Sequence, residues 1–176
     1  MIKTLPNGRK QVEFNDTRFI FNTNFEGDPE KDNFGSSERK GNVVIGDHEL
    51  AEELRRDGFN VRTTKPRPGY EDEFTPEDYI AVKVNFNTPP GLKPPKICLV
   101  SANGNPIPLD EESIKTIDDL QLSRSIANVN VTCNLRYNKD GRNTLYVQYM
   151  YVEQDVDNDP YAARYQHPDE DDDLPF

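Results

Sequence analysis

The sequence predicts a mainly β domain, a barrel or a sandwich with one short helix, followed by an acidic tail. Three observations predict it. Several short runs alternate apolar and polar residues with the period of two that buries one face of a strand. Only the stretch after Asp47 combines helical spacing of apolar residues with a cap at each end. The strand-like runs also follow one another without the strand–helix alternation that builds a parallel α/β sheet.

The first ten residues, with Leu5-Pro6-Asn7-Gly8-Arg9-Lys10, read as a flexible arm. A strand is expected over residues 17–25, where Phe19, Phe21 and Phe25 stand at even spacing and are assigned to the core. Residues 26–42 are polar and contain glycine, so they read as a long loop carrying Lys31, Phe34, Arg39 and Lys40. Loops of that length are commonly functional. Val43-Val44-Ile45 is a short strand. Asp47 then caps a helix over residues 48–57, with Leu50, Ala51 and Leu54 as its buried stripe and Gly58 as its left-handed stop.

Residues 59–64 read as a strand and Lys65-Pro66-Arg67-Pro68-Gly69-Tyr70 as a rigid basic turn. From Tyr79 to Phe86 the alternation is clean. Ile80, Val82, Val84 and Phe86 face one way, and Tyr79, Ala81, Lys83 and Asn85 face the other. A proline-rich connector, residues 88–95, leads to a strand at residues 97–100 and a turn at Asn103-Gly104. Residues 110–122 fit a short helix or two turns. Val129, Val131, Cys133 and Leu135 then alternate with Asn128, Asn130, Thr132 and Asn134. The turn Asn138-Lys139-Asp140-Gly141 and a strand over residues 144–152 complete a β-hairpin. Six or seven strands at this size suit a five-stranded OB-like barrel with extra strands and loops, although a sandwich shares the same alternation.

The 176 residues suffice for one domain with a real core. Hydrophobic residues make up 34%, so part of the chain must lie outside that core. The charge of −11 is unevenly spread: nine of the 32 acids lie from Glu153 onward, against one base, Arg164. That leaves 23 acids and 20 bases before them. The division is a domain at residues 1–152 and a flexible acidic tail at residues 153–176. Cys98 and Cys133 sit in strand-like runs without CxxC spacing and read as buried thiols in a reducing compartment. No leader-like segment and no apolar run of membrane-spanning length is apparent, so a cytoplasmic protein that makes no membrane contact is expected.

The most specific feature is the end of the tail. Asp171, Asp172 and Asp173 precede Leu174, Pro175 and Phe176. An apolar tip after a run of acids gains nothing in water, but it suits a small pocket rimmed by basic residues. This ending resembles the acidic tip of bacterial single-stranded DNA-binding proteins, with Leu174 where they typically carry Ile. The resemblance implies docking of replication, recombination and repair enzymes, and competition between tip and DNA. The body resembles bacteriophage single-stranded DNA-binding proteins of the OB type over roughly residues 17–155. The likeness is carried by Asn24-Phe25-Glu26-Gly27, Leu50-Ala51-Glu52-Glu53-Leu54, Asp57-Gly58-Phe59-Asn60-Val61-Arg62, Pro94-Pro95-Lys96-Ile97, Leu109-Asp110-Glu111-Glu112-Ser113 and Met150-Tyr151-Val152. A looser likeness to the podophage replication protein runs through Arg136-Tyr137, the turn at Gly141 and the last strand, and implies that Tyr137 stacks on a base. A phage protein would work in the cytoplasm of its bacterial host.

Binding a single strand takes cations for the phosphates and flat rings for the bases. Tyr79 and Lys83 share the polar face of one strand. Arg136, Tyr137, Lys139 and Arg142 surround the last turn. Simple alternation sends Tyr146, Tyr149 and Tyr151 to both faces of the last strand, so not all are core, and Tyr149 is taken as the candidate. Phe34, Arg39 and Lys40 lie in the long loop, and Arg62 and Lys65 flank the basic turn. His48 and His167 have no ligand-spaced partner, and no nucleophile elbow or phosphate loop appears. No catalysis, metal or cofactor is expected. The expectation is therefore a protein that coats single-stranded DNA without strong sequence preference, with self-association left open. Its rival is an acidic adaptor or DNA mimic that occupies host replication proteins without binding DNA. RNA binding is a third reading, because a stacking groove need not reject ribose.

Overall fold

The computed structural model describes residues 1–101 and 104–155. Residues 156–176, with the acidic tip Asp171 to Phe176, and Asn103 of the expected turn lie outside the described residues.

The chain is mainly β, as the alternation predicts. Its strands are β1 (Lys3–Thr4), β2 (Lys10–Thr17), β3 (Phe19–Asn24), β4 (Arg39–Ile45), β5 (Arg62–Thr63), β6 (Asp78–Val84), β7 (Lys96–Val100), β8 (Pro106–Leu109), β9 (Ile126–Arg136) and β10 (Thr144–Gln154). Two helices, α1 (His48–Arg56) and α2 (Lys115–Leu122), interrupt them. All ten strands form one sheet whose path runs β1-β2-β9-β10-β6-β4-β3. β10 is antiparallel to β9 and parallel to both β6 and β7.

The path is not closed by pairing between its end strands. Its end strands are β1, which pairs with β2, and β3; β2 and β3 are consecutive pieces of chain separated by Arg18 alone. Thr17 Oγ1 donates to the Val44 carbonyl (2.6 Å), and the Val44 N–H donates to the Arg18 carbonyl (3.0 Å). The sheet thereby curls round one core. Val12 and Phe14 of β2, Phe19 of β3 and Val43 and Ile45 of β4 belong to it. So do Ile80, Val82 and Val84 of β6, Val129 and Val131 of β9, and Leu145, Met150 and Val152 of β10. α1 adds Leu50, Ala51 and Leu54, capped by Asp47 and stopped by Gly58 at φ +84°, as its pattern predicts.

α2 lies under β3. Asp118, only 1% exposed, accepts hydrogen bonds from Thr23 Oγ1 (2.6 Å) and from the backbone N–H groups of Phe25 (2.8 Å) and Glu26 (2.8 Å). One carboxylate thus fixes the corner where β3 gives way to the loop before β4. No helix among the described residues is long and apolar enough to cross a membrane.

Several expectations need correction. Residues 110–122, open between a short helix and two turns, hold the helix α2, so the described residues contain a second helix besides α1, with Ile117 and Asp118 facing inward. Residue 10 begins a strand rather than ending an arm; Val12 and Phe14 carry the period of two. Phe21 is not core but 57% exposed, because its φ of +63° breaks the alternation that buries Phe19. The strand expected over residues 59–64 shrinks to Arg62–Thr63, with Phe59 making only a single bridge to Asn143. β8 contains Pro106 and Pro108, which an edge strand tolerates because its outer side needs no donors.

Candidate nucleic-acid interface

The alternation of β6 buries Ile80, Val82 and Val84 and turns Tyr79, Ala81 and Lys83 outward. β4 runs beside it with Lys40 opposite Lys83, Asn42 opposite Ala81 and Val44 opposite Tyr79. β5 sets Arg62 opposite Tyr79 on the other edge. These outward rows are the floor of a cleft of about 840 Å³. One wall is the loop before β4, which brings Phe34; the other is the β9–β10 turn, which brings Arg142. A second cleft of about 750 Å³ shares Arg62 and Tyr79 with the first and adds Phe21 and Lys65. The two adjoin at Arg62 and Tyr79 and together make up the groove. Ala81 leaves its middle open, flanked by larger side chains on both sides.

Rings and cations are distributed along this groove. Phe21 and Tyr79 meet edge to face with ring centroids 5.3 Å apart. Phe34 is 94% exposed. It sits in a turn built by Asp32, whose carboxylate accepts from the N–H groups of Phe34 (2.9 Å) and Ser36 (2.9 Å). The Lys40 ammonium, 2.7 Å from the same carboxylate, together with those N–H groups lowers the Asp32 pKa to about 2. Lys83 is paired with Glu38 at 3.0 Å. Arg62, Lys65 and Arg142 make no ion pair among the described residues.

A polar clamp fixes the β5 end. Asp78 accepts from Arg55 (2.9 Å) and Thr63 (2.9 Å), and its other oxygen contacts His48 Nδ1 (2.9 Å). Burial would raise the Asp78 pKa, but these three partners outweigh it and lower it. The Asp78 hydrogen bond in turn raises the His48 pKa. α1 is thereby tied to β5 and β6, and Arg62 and Tyr79 are held in place.

The structure therefore gathers Tyr79, Lys83, Phe34, Lys40, Arg62, Lys65 and Arg142 in one groove. It places the other candidates elsewhere. Arg39 reaches the carbonyls of Phe25 (2.9 Å) and Glu26 (3.1 Å) and lies over the Phe86 ring. Tyr137 is 46% exposed, but its hydroxyl donates to Asp57, its ring packs on Phe59 and Lys10 lies over it. Burial, and then the Asp57 contact, push its pKa up. Lys139 is in the β9–β10 turn. Arg136 lies over the Tyr146 ring, and Tyr149 is exposed on β10. Sequence reasoning missed Phe21, whose exposure depends on a left-handed backbone that the even aromatic spacing conceals. It also missed Asn42, for which the position opposite Ala81 was the only signal.

A family model described as "Putative phage ssDNA-binding domain" matches residues 4–176. The chain belongs to this family. Neither the curated proteins nor the solved structures compared with it gave a match. Membership in the phage ssDNA-binding family supports single-stranded DNA as the ligand, and the groove has the rings and cations that such a ligand requires.

Proposed function

We propose that the protein coats single-stranded DNA, without strong sequence preference, by laying it across the outer face of β4 and β6. The observation that carries this is the co-location of three rings (Phe21 and Phe34 exposed, Tyr79 half-buried) with three cations that make no ion pair among the described residues (Arg62, Lys65 and Arg142) in one groove of a phage ssDNA-binding family member. Rings take bases and cations take phosphates. A duplex, with its bases stacked inside, offers the rings nothing. The strand path supports an OB-type barrel in which β2 and β3 act as one bent strand followed by β4, β6, β9 and β10, with β10 lying between β9 and β6. The groove on β4 and β6, walled by two loops, suits oligonucleotide binding in such a fold.

The protein acts in phage DNA replication, recombination and repair in the host cytoplasm. Its domain, expected to end at residue 152, runs to the end of β10 at Gln154, and the acidic tail follows it. Asp171, Asp172, Asp173, Leu174, Pro175 and Phe176 dock the partner enzymes, and the tail competes with DNA for the groove. The paired acids of the groove support that competition, since Asp32 and Glu38 already hold Lys40 and Lys83 as phosphates would.

The test is fluorescence anisotropy with labelled oligo-dT, duplex DNA and RNA of one length, across a salt series. Expected is binding to oligo-dT but not duplex, weakening as salt rises because phosphate contacts release counterions. A chain cut after Asp155 leaves β10 and the Asp155–Ser125 backbone bond whole. It should bind DNA more tightly and lose its partners. No binding by either form at low salt would favour an adaptor that acts through its tail alone.

A further inference from the structure

We propose that the outer face of β10 is a second single-stranded DNA subsite, which receives the strand as it leaves the β4/β6 groove. This rests on the groove reading above.

Strict alternation would send Tyr146 and Tyr149 to opposite faces. In the β9–β10 ladder, however, Val147 pairs with Cys133 and Tyr149 with Thr132, so Gln148 is an extra residue opposite no partner. Gln148 is buried. Its Oε1 accepts from Asn134 Nδ2 (2.9 Å), and its Nε2 donates to the Pro94 carbonyl (3.4 Å). The bulge resets the phase. Leu145, Val147, Met150 and Val152 all point into the core, and Tyr146, Tyr149 and Tyr151 all point outward. Three rings that the sequence pattern divides between two faces thus form one row, with Tyr149 40% exposed.

Cations flank the row. The Arg136 guanidinium lies 5.7 Å from the Tyr146 ring centroid. Lys96 of β7 stands opposite Tyr149 and beside the Tyr151 hydroxyl. Neither cation makes an ion pair among the described residues. The row also joins the groove, because Tyr146 is the residue opposite Lys83 where β10 pairs with β6. At its far end the next outward position is Glu153, whose charge repels phosphate and ends the track.

The spacing selects the ligand. Residues two apart on a strand are separated by ~6.6 Å. Stacked nucleotides along one strand of a duplex rise only ~3.4 Å each. Neighbouring tyrosines therefore suit bases pulled apart from one another, which only an unpaired strand presents. The occupant is a further stretch of the same DNA chain, held by stacking on Tyr149 and Tyr151 and by Arg136 and Lys96 on its phosphates.

The test is affinity for oligo-dT of graded length, using the full chain, Tyr149→Ala, Tyr149→Phe and Tyr79→Ala. Oligomers too short to leave the groove should bind Tyr149→Ala as they bind the wild type. Longer ones should bind it ~10-fold more weakly, in line with the loss of one stacked base, and the length at which affinity levels off should shorten. Tyr149→Phe, which keeps the ring, should restore both quantities, and the sparing of short oligomers in Tyr149→Ala is what a purely structural loss would not allow. Unchanged affinity at every length in Tyr149→Ala overturns the proposal, and so does an equal loss at every length. Tyr79→Ala should weaken binding at all lengths; if it weakens none, the groove reading fails, whatever Tyr149 shows.

Discussion

The two halves of the groove hold their cations differently. At the loop end, Lys40 and Lys83 are engaged by Asp32 and Glu38. At the β5 end, Arg62 and Lys65 have no acid partner among the described residues and stand beside the Phe21–Tyr79 ring pair. A phosphate arriving at the β5 end meets a bare guanidinium, whereas at the loop end it must displace a carboxylate. Affinity and salt dependence should therefore come mainly from the β5 end, with the loop end acting as an adjustable contact. Equal numbers of cations do not make equal contributions when some are already neutralised.

The most damaging way to break this comparison is to release the loop end from the barrel. Asp118→Ala leaves three donors around a buried site without an acceptor, at a cost of about 3 kcal/mol of folding stability. Chemical denaturation should read that loss, and DNA affinity should fall less at the β5 end than at Phe34. Next comes Tyr79→Ala, expected to cost about 2 kcal/mol of oligo-dT binding, or roughly 30-fold, from lost stacking. A change below twofold would show that the ring pair is not the anchor. Arg62→Ala combined with Lys65→Ala should lower the slope of log affinity against log salt by about 1.4, since each lost single-strand phosphate contact removes about 0.7. Lys40→Ala combined with Lys83→Ala should lower it by less, and an equal drop would dissolve the distinction between the halves.

Smaller effects sharpen the picture. Glu38→Gln frees Lys83 and should tighten binding by about threefold at low salt, with the gain fading as salt screens the site. A looser complex would mean that Glu38 positions Lys83 rather than occupying it. The last prediction concerns pH. The His48 pKa is raised in the folded protein by Asp78. Its contribution to the α1–β5 clamp is thus fully present below its unfolded value of about 6.5 and is lost as pH rises through the raised folded value. Thermal melts should show wild type more stable than His48→Gln at pH 5.5, with the two converging at high pH. A constant gap would remove the titration from the clamp.

Much of the fold was legible where residues obey a single period. β6 shows Tyr79 and Lys83 outward because nothing interrupts its alternation, and α1 carries both of its stops in the sequence. The difficulties arise where the backbone breaks phase. Phe21 turns outward through a positive φ, and the tyrosines of β10 share a face through the extra Gln148. Neither event leaves a mark in hydrophobic spacing. Arg39 and Tyr137 look like free polar groups in sequence, yet carbonyls hold the one and Asp57 the other, because residues far along the chain come to meet them. Residues 110–122 fit a helix or two turns alike because the inward positions of α2 include a carboxylate whose partners lie more than ninety residues away.

The way the sheet is joined also sets a timetable for synthesis. Gln11 of β2 bonds Asn134 of β9, 123 residues later. At roughly 5–20 residues per second, that partner emerges from the ribosome about 6–25 s after β2 does. Throughout that interval β3, β4 and β6 can assemble with near neighbours, while Val12 and Phe14 have no strand to cover them. The apolar side of β2 is then open to chaperones, and its pairing waits for the β9–β10 hairpin to be made.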